Sequence, residues 1–193
     1  MNARRVVLTA DDYGYDPASA EVVLDLLQGG YVSATTVLAV SEYLDDVVQP
    51  LAALQARRDF GVGLHLATNS DRGREPWKPL SARALAGPDG TLPVDPSAAE
   101  SLATADAMAN EIAAQLARIE GTGLTVDRID SHSGTVYGLH GGAGLTEVLT
   151  VCARSHLTFR LPRRSTPPCS VARFLSCCQM STAGRSRPRT PPA

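Results

Sequence analysis

Three short stretches carry the side chains that could do chemistry: Thr9-Ala10-Asp11-Asp12-Tyr13-Gly14, Gly63-Leu64-His65-Leu66 and Ile129-Asp130-Ser131-His132-Ser133-Gly134-Thr135. Each ends or follows a short apolar run, which puts it at the C-terminal end of an expected strand. Barrels and open α/β sheets bind their ligands at those ends. Together the stretches bring the carboxylates of Asp11, Asp12 and Asp130 and the imidazoles of His65 and His132 to one rim. Two His and one Asp, with water positions left open, make a ligand set for a catalytic divalent metal. Such an ion polarises a carbonyl and lowers the pKa of bound water toward about 7. A further carboxylate beside it could act as general base.

Each stretch also has a plain structural reading. Asp11-Asp12 could be a solvated turn before a helix. His65 could be a hydrogen-bonded core residue, and Asp130-Ser131-His132 a helix cap. The metal reading gains from the coincidence of three strand ends, not from any one of them. His140 and His156 lack such a setting and read as structural or exposed. Asp45-Asp46 reads as a solvated helix face. The sequence has no G-x-S-x-G nucleophile elbow and no G-x-x-x-x-G-K-[ST] phosphate loop. Residues 138–144 are glycine-rich ahead of a helix, which allows a phosphate cradle or an ordinary loop.

The elements that must position these residues alternate. Strands are expected over residues 5–10, 34–40, 60–66, 125–129 and 157–161. A helix should start at Asp16 as N-cap with Pro17 at its first position, and stop at Gly29-Gly30. A second helix is expected over 43–56, with Pro50 able to split it. Residues 69–96 are polar, hold five prolines and read as a long excursion loop. Ser97 then opens a long helix with Glu100 as its capping-box partner. Its apolar stripe is Met108, Ile112, Leu116 and Ile119, and Gly121 and Gly123 end it. A last helix is expected over 142–154. The class is therefore α/β with a mainly parallel sheet.

Composition bounds the rest. The chain has 193 residues, 44% hydrophobic and 20% charged, which excludes a disordered chain and a small disulfide scaffold. No apolar run is long enough for a membrane span, and the N-terminal one is too short for a signal peptide. A cytoplasmic protein is the expectation. All 20 acidic residues lie at or before Glu147, whereas 8 of the 18 basic residues follow it. Residues 162–193 hold six prolines, eight Ser/Thr and three of the four cysteines, with no apolar period. They read as a basic, disordered tail or as sequence from a shifted reading frame. The tail lacks Lys and interleaved aromatics, so neither a nucleic-acid nor a membrane partner is expected. Cys152, Cys169, Cys177 and Cys178 show no C-x-x-C spacing and read as incidental thiols.

At its three motifs the chain resembles the YdjC-like (ChbG-like) carbohydrate deacetylases, from about Arg5 to about Leu161. The likeness rests on residues 9–39, 61–68 and 126–139, in the order Asp-Asp-aromatic-Gly, Gly-x-His-Leu, Asp-Ser-His. It implies a distorted or incomplete β/α barrel and one divalent metal. By that likeness Asp12, His65 and His132 match the metal ligands and Asp11 the catalytic carboxylate, with Asp130 orienting His132. The implied reaction removes N-acetyl groups from amino sugars or oligosaccharides. The family points to Mg2+, whereas the ligand types suit Zn2+ or another transition ion. Trp77 and Tyr13 could stack on a sugar ring. Ser133-Gly134-Thr135-Val136 stand where many members carry further histidines. Members usually continue well beyond this length, so the likeness implies a deacetylase domain over 1–161 and a truncated or frame-shifted end over 162–193. A lost barrel portion would impair activity and expose a sheet edge that favours a homo-oligomer. Other readings are a metal-dependent hydrolase of another amide, ester or phosphate, or a non-catalytic sugar-binding or degraded copy.

Overall fold

The computed structural model describes residues 6–81 and 83–161. Its elements lie within the compact unit Met1–Arg160. Five strands form one sheet: β1 (Thr9–Tyr13), β2 (Ala34–Val37), β3 (Gly61–Leu66), β4 (Arg128–Ser131) and β5 (Thr158–Phe159). All four pairings are parallel, and the order across the sheet is β1-β2-β3-β4-β5. The strands lie in sequence order and each is joined to the next through a helix, a run of consecutive β-α-β units.

The helices are α1 (Pro17–Gly29), α2 (Leu44–Gln55), α3 (Pro96–Leu102), α4 (Ala105–Glu120) and α5 (Gly144–Ser155). α1 begins as its sequence dictates. The Asp16 carboxylate accepts from Ser19 N–H at 2.7 Å, and Gly30 ends the helix at φ 71°. Pro50 sits inside α2 without splitting it, because Leu44, Val47, Val48, Leu51 and Leu54 hold a continuous buried face. On α4 the expected stripe of Met108, Ile112, Leu116 and Ile119 is buried. Burying such a side chain contributes about 1.5–3 kcal/mol.

Three expectations shift. β1 runs through the Asp11-Asp12 pair instead of ending before it. Ala10 pairs with Thr35 and Tyr13 with Val37, so β1 carries one extra residue opposite Thr36. That is a β-bulge, and Asp12 takes the left-handed conformation there at φ 66°. β4 likewise lies further along, taking in Asp130 and Ser131. The single helix expected from Ser97 is two helices, because Ala103 and Thr104 leave helical geometry. Asp95 caps the first and Thr104 the second, which frees Glu100 from any capping box.

The sheet has a polar face. Thr36, Gly63, Arg128, His65 and Asp130 lie on it by register, Gly63 beside both Thr36 and Arg128, and His65 beside Asp130. Arg128 lies across β3, bonding Asp130 at 3.0 Å and the Thr35 carbonyl at 3.0 Å. A Cβ on Gly63 would come within 2.9 Å of the Arg128 side chain, so the glycine makes room for it. The opposite face carries the apolar core of Val37, Val62, Leu64, Leu66 and Ile129.

Candidate metal centre

Asp12 sits on the β1 bulge, His65 near the end of β3, and His132 just after β4. Parallel pairing brings these ends together. Asp12 Oδ1 lies 3.1 Å from His65 Nε2 and 3.2 Å from His132 Nδ1. The three residues form a group able to hold a metal ion, their ligand atoms all within 4.8 Å of one another. Both imidazoles are buried, while the Asp12 side chain is 42% exposed and leaves the group an open side. The imidazole rings meet edge to face at 5.2 Å.

The hydrogen-bond surroundings test whether a cation fits. A neutral imidazole donates through one nitrogen only, and a carboxylate only accepts. His132 faces a carboxylate on both sides: Asp12 at Nδ1, and Asp71 Oδ1 at Nε2, 3.1 Å away. His65 faces Asp12 at Nε2 and the Thr36 hydroxyl at Nδ1, 2.9 Å away. At least one nitrogen lone pair therefore points at a carboxylate oxygen unless a proton or a metal ion lies between them. Two imidazoles and a carboxylate that converge in this way suit a divalent cation.

The electrostatics agree with that crowding. Burial pushes the Asp12 carboxyl up, but hydrogen bonds and charge from His132 and His65 prevail and hold it well below the usual carboxylate range. Burial pushes His132 down, yet Asp12 and Asp71 outweigh it and its pKa is raised.

Asp11 stands beside this group, exposed to solvent. Its Oδ1 accepts from the Thr36 hydroxyl at 2.9 Å and its Oδ2 from Arg160 at 2.8 Å. Asp130 is fully buried, and its contacts run to Arg128 and Arg160. The carboxylate bonded to His132 beyond Asp12 is Asp71, so the expectation that Asp130 orients His132 is corrected. The register explains the change: Asp130 pairs with His65 and lies under Arg128, while the chain turns at Ser131 before His132.

The excursion after β3 supplies what sequence reasoning missed. Ala67 is held by Gln115 through both its N–H and its carbonyl, at 3.2 and 2.7 Å. The buried Glu111 accepts from Leu80 N–H and Ser81 N–H, both at 2.9 Å. So anchored, the excursion sets Asp71 on His132 and the Trp77 ring 5.3 Å from it. Trp77 also meets Tyr15 edge to face, and the Arg74 guanidinium lies 3.9 Å over the Tyr15 ring. Neither proposed stacking residue is available as a platform. Tyr13 is fully buried, bonded through its hydroxyl to the Val47 carbonyl at 2.6 Å, and Trp77 is only 8% exposed. A cavity of about 690 Å³ lined by Ala86, Leu92, Val94 and Leu102 belongs to the excursion and includes none of the three metal-group residues. A period-two signal did mark the polar face: Gly61, Gly63 and His65 alternate with Val62, Leu64 and Leu66.

The glycine-rich stretch 138–144 is no phosphate cradle. Its N–H groups at Leu139, His140 and Gly142 already donate to the Glu100 carboxylate, at 3.2, 2.6 and 3.3 Å. His140 and His156 are exposed, as are Asp45 and Asp46, in agreement with the sequence reading. Cys152 is buried on α5, whereas Cys169, Cys177, Cys178 and the basic tail expected over residues 162–193 lie outside the described residues. Among the described residues no helix is long and apolar enough to cross a membrane.

Fold and rim together define an α/β protein whose strand ends carry a cluster suited to a divalent cation. The profile of the YdjC-like protein family matches residues 5–189, and the chain belongs to that family. The matched range extends past Leu161. A carbohydrate deacetylase of Listeria welshimeri is 31% identical over 133 residues, 66% of this chain and 51% of its own length. A carbohydrate deacetylase of Enterococcus faecalis is 25% identical over 166 residues, 86% of this chain and 60% of its own length. The chain thus spans little more than half the length of these relatives. A crystal structure described as a cellobiose-phosphate cleavage protein of Enterococcus faecalis shares the fold, with a TM-score of 0.73 and 24% identity over 91% of this chain and 64% of that one.

Proposed function

We propose that the rim is the active site of a metal-dependent carbohydrate deacetylase, with Asp12, His65 and His132 as metal ligands and Asp11 as the catalytic carboxylate. The observation that carries the reading is the convergence of those three side chains beside Asp11, in a family whose curated relatives are named carbohydrate deacetylases. A bound divalent ion would supply Lewis-acid polarisation and a water of lowered pKa. The chain's own residues do the rest. Asp11, held from two sides by Thr36 and Arg160, would take the proton from the attacking water. The buried imidazoles keep one side of the rim dry, and the exposed side of Asp12 admits substrate. The donor types favour Zn2+ or another transition ion, and the family likeness favours Mg2+.

The test is acetate release from N-acetylated amino sugars and chito-oligosaccharides with Zn2+ or Mg2+ added, compared with Asp11→Asn. Release that needs the metal and falls by about 100-fold or more in Asp11→Asn supports the reading. Release of phosphate from a phosphate ester, or of an acid from another ester or amide, in place of acetate would reassign the substrate class and keep the metal site.

A further inference from the structure

We infer that Thr36 and Asp71 are positioning residues that hold the two imidazoles by opposite nitrogens, so that His65 presents Nε2 to a divalent cation and His132 presents Nδ1. The inference rests on the metal reading of the rim and deepens it.

The Thr36 hydroxyl has three neighbours: Asp12 N–H at 3.3 Å, Asp11 Oδ1 at 2.9 Å and His65 Nδ1 at 2.9 Å. A hydroxyl owns one proton and two lone pairs. The Asp11 carboxylate can only accept, so it takes the hydroxyl proton. The backbone N–H can only donate, so it fills one lone pair. The second lone pair then accepts from His65, which places the ring proton on Nδ1. Nε2 is left with its lone pair toward Asp12 Oδ1 at 3.1 Å. One threonine opposite the β1 bulge thus orients a ligand imidazole, the Asp11 carboxylate and the backbone of Asp12.

His132 is held the other way round. Its Nε2 meets Asp71 Oδ1 at 3.1 Å and its Nδ1 meets Asp12 Oδ1 at 3.2 Å. Asp12 Oδ1 is the atom both imidazoles share, so a cation enters there and the remaining proton stays on Nε2 for Asp71. A carboxylate behind a metal-binding imidazole fixes its orientation and raises its basicity. Asp71 comes from the excursion, not from a strand. The seating of that segment by Glu111 and Gln115 is thereby coupled to the quality of the metal site.

The test uses the full chain labelled with 15N-histidine and loaded with Zn2+. Long-range proton–nitrogen NMR spectra should show the ring proton of His65 on Nδ1 and that of His132 on Nε2. By titration calorimetry, Asp71→Ala and Thr36→Val should each weaken Zn2+ binding by about 10- to 100-fold. Thr36→Ser should recover binding to within a few-fold of the parent, since it keeps the hydroxyl. Circular dichroism checks that each variant folds, and the parent spectrum decides the matter if one does not. The opposite ring protonation, or parent-like Zn2+ affinity in both Asp71→Ala and Thr36→Val, overturns the assignment while leaving the metal site standing. A folded parent that takes up no Zn2+ overturns the metal reading and this inference with it.

Discussion

Asp12 and Glu100 are two carboxylates in similar company and with opposite consequences. Each is approached by several nitrogens. Glu100 is 3% exposed and accepts from three backbone N–H groups of the 138–144 loop, every one of which can only donate. Its charge is satisfied from within, and nothing remains for a ligand to do. Asp12 is approached by imidazole nitrogens whose other sides are already committed to Thr36 and Asp71. There the nitrogens bring lone pairs as well as protons, and the side chain keeps an open face. A backbone nest filled by a carboxylate is architecture; a carboxylate among imidazoles is a place for a cation.

That contrast can be broken most sharply by removing a rim ligand. His65→Ala or His132→Ala should reduce bound metal from about one ion per chain to near zero, read by elemental mass spectrometry on folded protein, while Glu100→Gln should leave the stoichiometry unchanged. Equal metal in parent and His65→Ala would erase the distinction. Next in size, Glu100→Ala should cost about 3 kcal/mol in urea unfolding, because buried N–H donors lose their acceptor. A loss under about 0.5 kcal/mol would show that water replaces the carboxylate easily.

Gly142→Ala sharpens the same point at smaller scale. A Cβ there would stand 2.7 Å from the Glu100 carbonyl oxygen, and a shift of backbone is required. The expected cost is about 1–3 kcal/mol with metal binding intact. Asp16→Ala, remote from both carboxylates, should cost about 1 kcal/mol through the lost α1 cap.

The smallest effect concerns pH in the metal-free chain. Burial pushes His132 down, but Asp12 and Asp71 together outweigh it and its pKa is raised in the fold. Its contribution to stability is therefore full below its ordinary value of 6.5 and is lost as pH rises through the higher folded value. Thermal unfolding of metal-free protein should move to lower temperature across that rise, and His132→Gln should flatten the trend. A parent curve that rises over the same window would contradict the ion-pair account of His132.

Much of the scaffold was legible because local signals and tertiary needs coincided. Asp16-Pro17 and Gly29-Gly30 bracket α1 through capping and left-handed geometry, which are properties of a few neighbouring residues. The stripe of α4 is buried because a 3.6-residue period has only one face to offer the sheet. Glu100 and Glu111 went the other way. Acidic residues on a helix ordinarily face water, and nothing nearby in sequence announces that Glu111 is needed by Leu80 and Ser81, or Glu100 by the loop near 140. Asp71 was invisible for the same reason, since its partner His132 lies 61 residues away.

What the amino-acid order determined alone was the alternation of strands and helices and the set of chemically able residues at strand ends, since periodicity and residue type are local. The tertiary structure alone decided which partner each imidazole nitrogen meets, which carboxylate supports His132, and that Asp130 belongs to Arg128 and Arg160. Those choices depend on register across parallel strands and on where a long excursion lands, and hydrogen bonds formed at that range leave no period in the sequence.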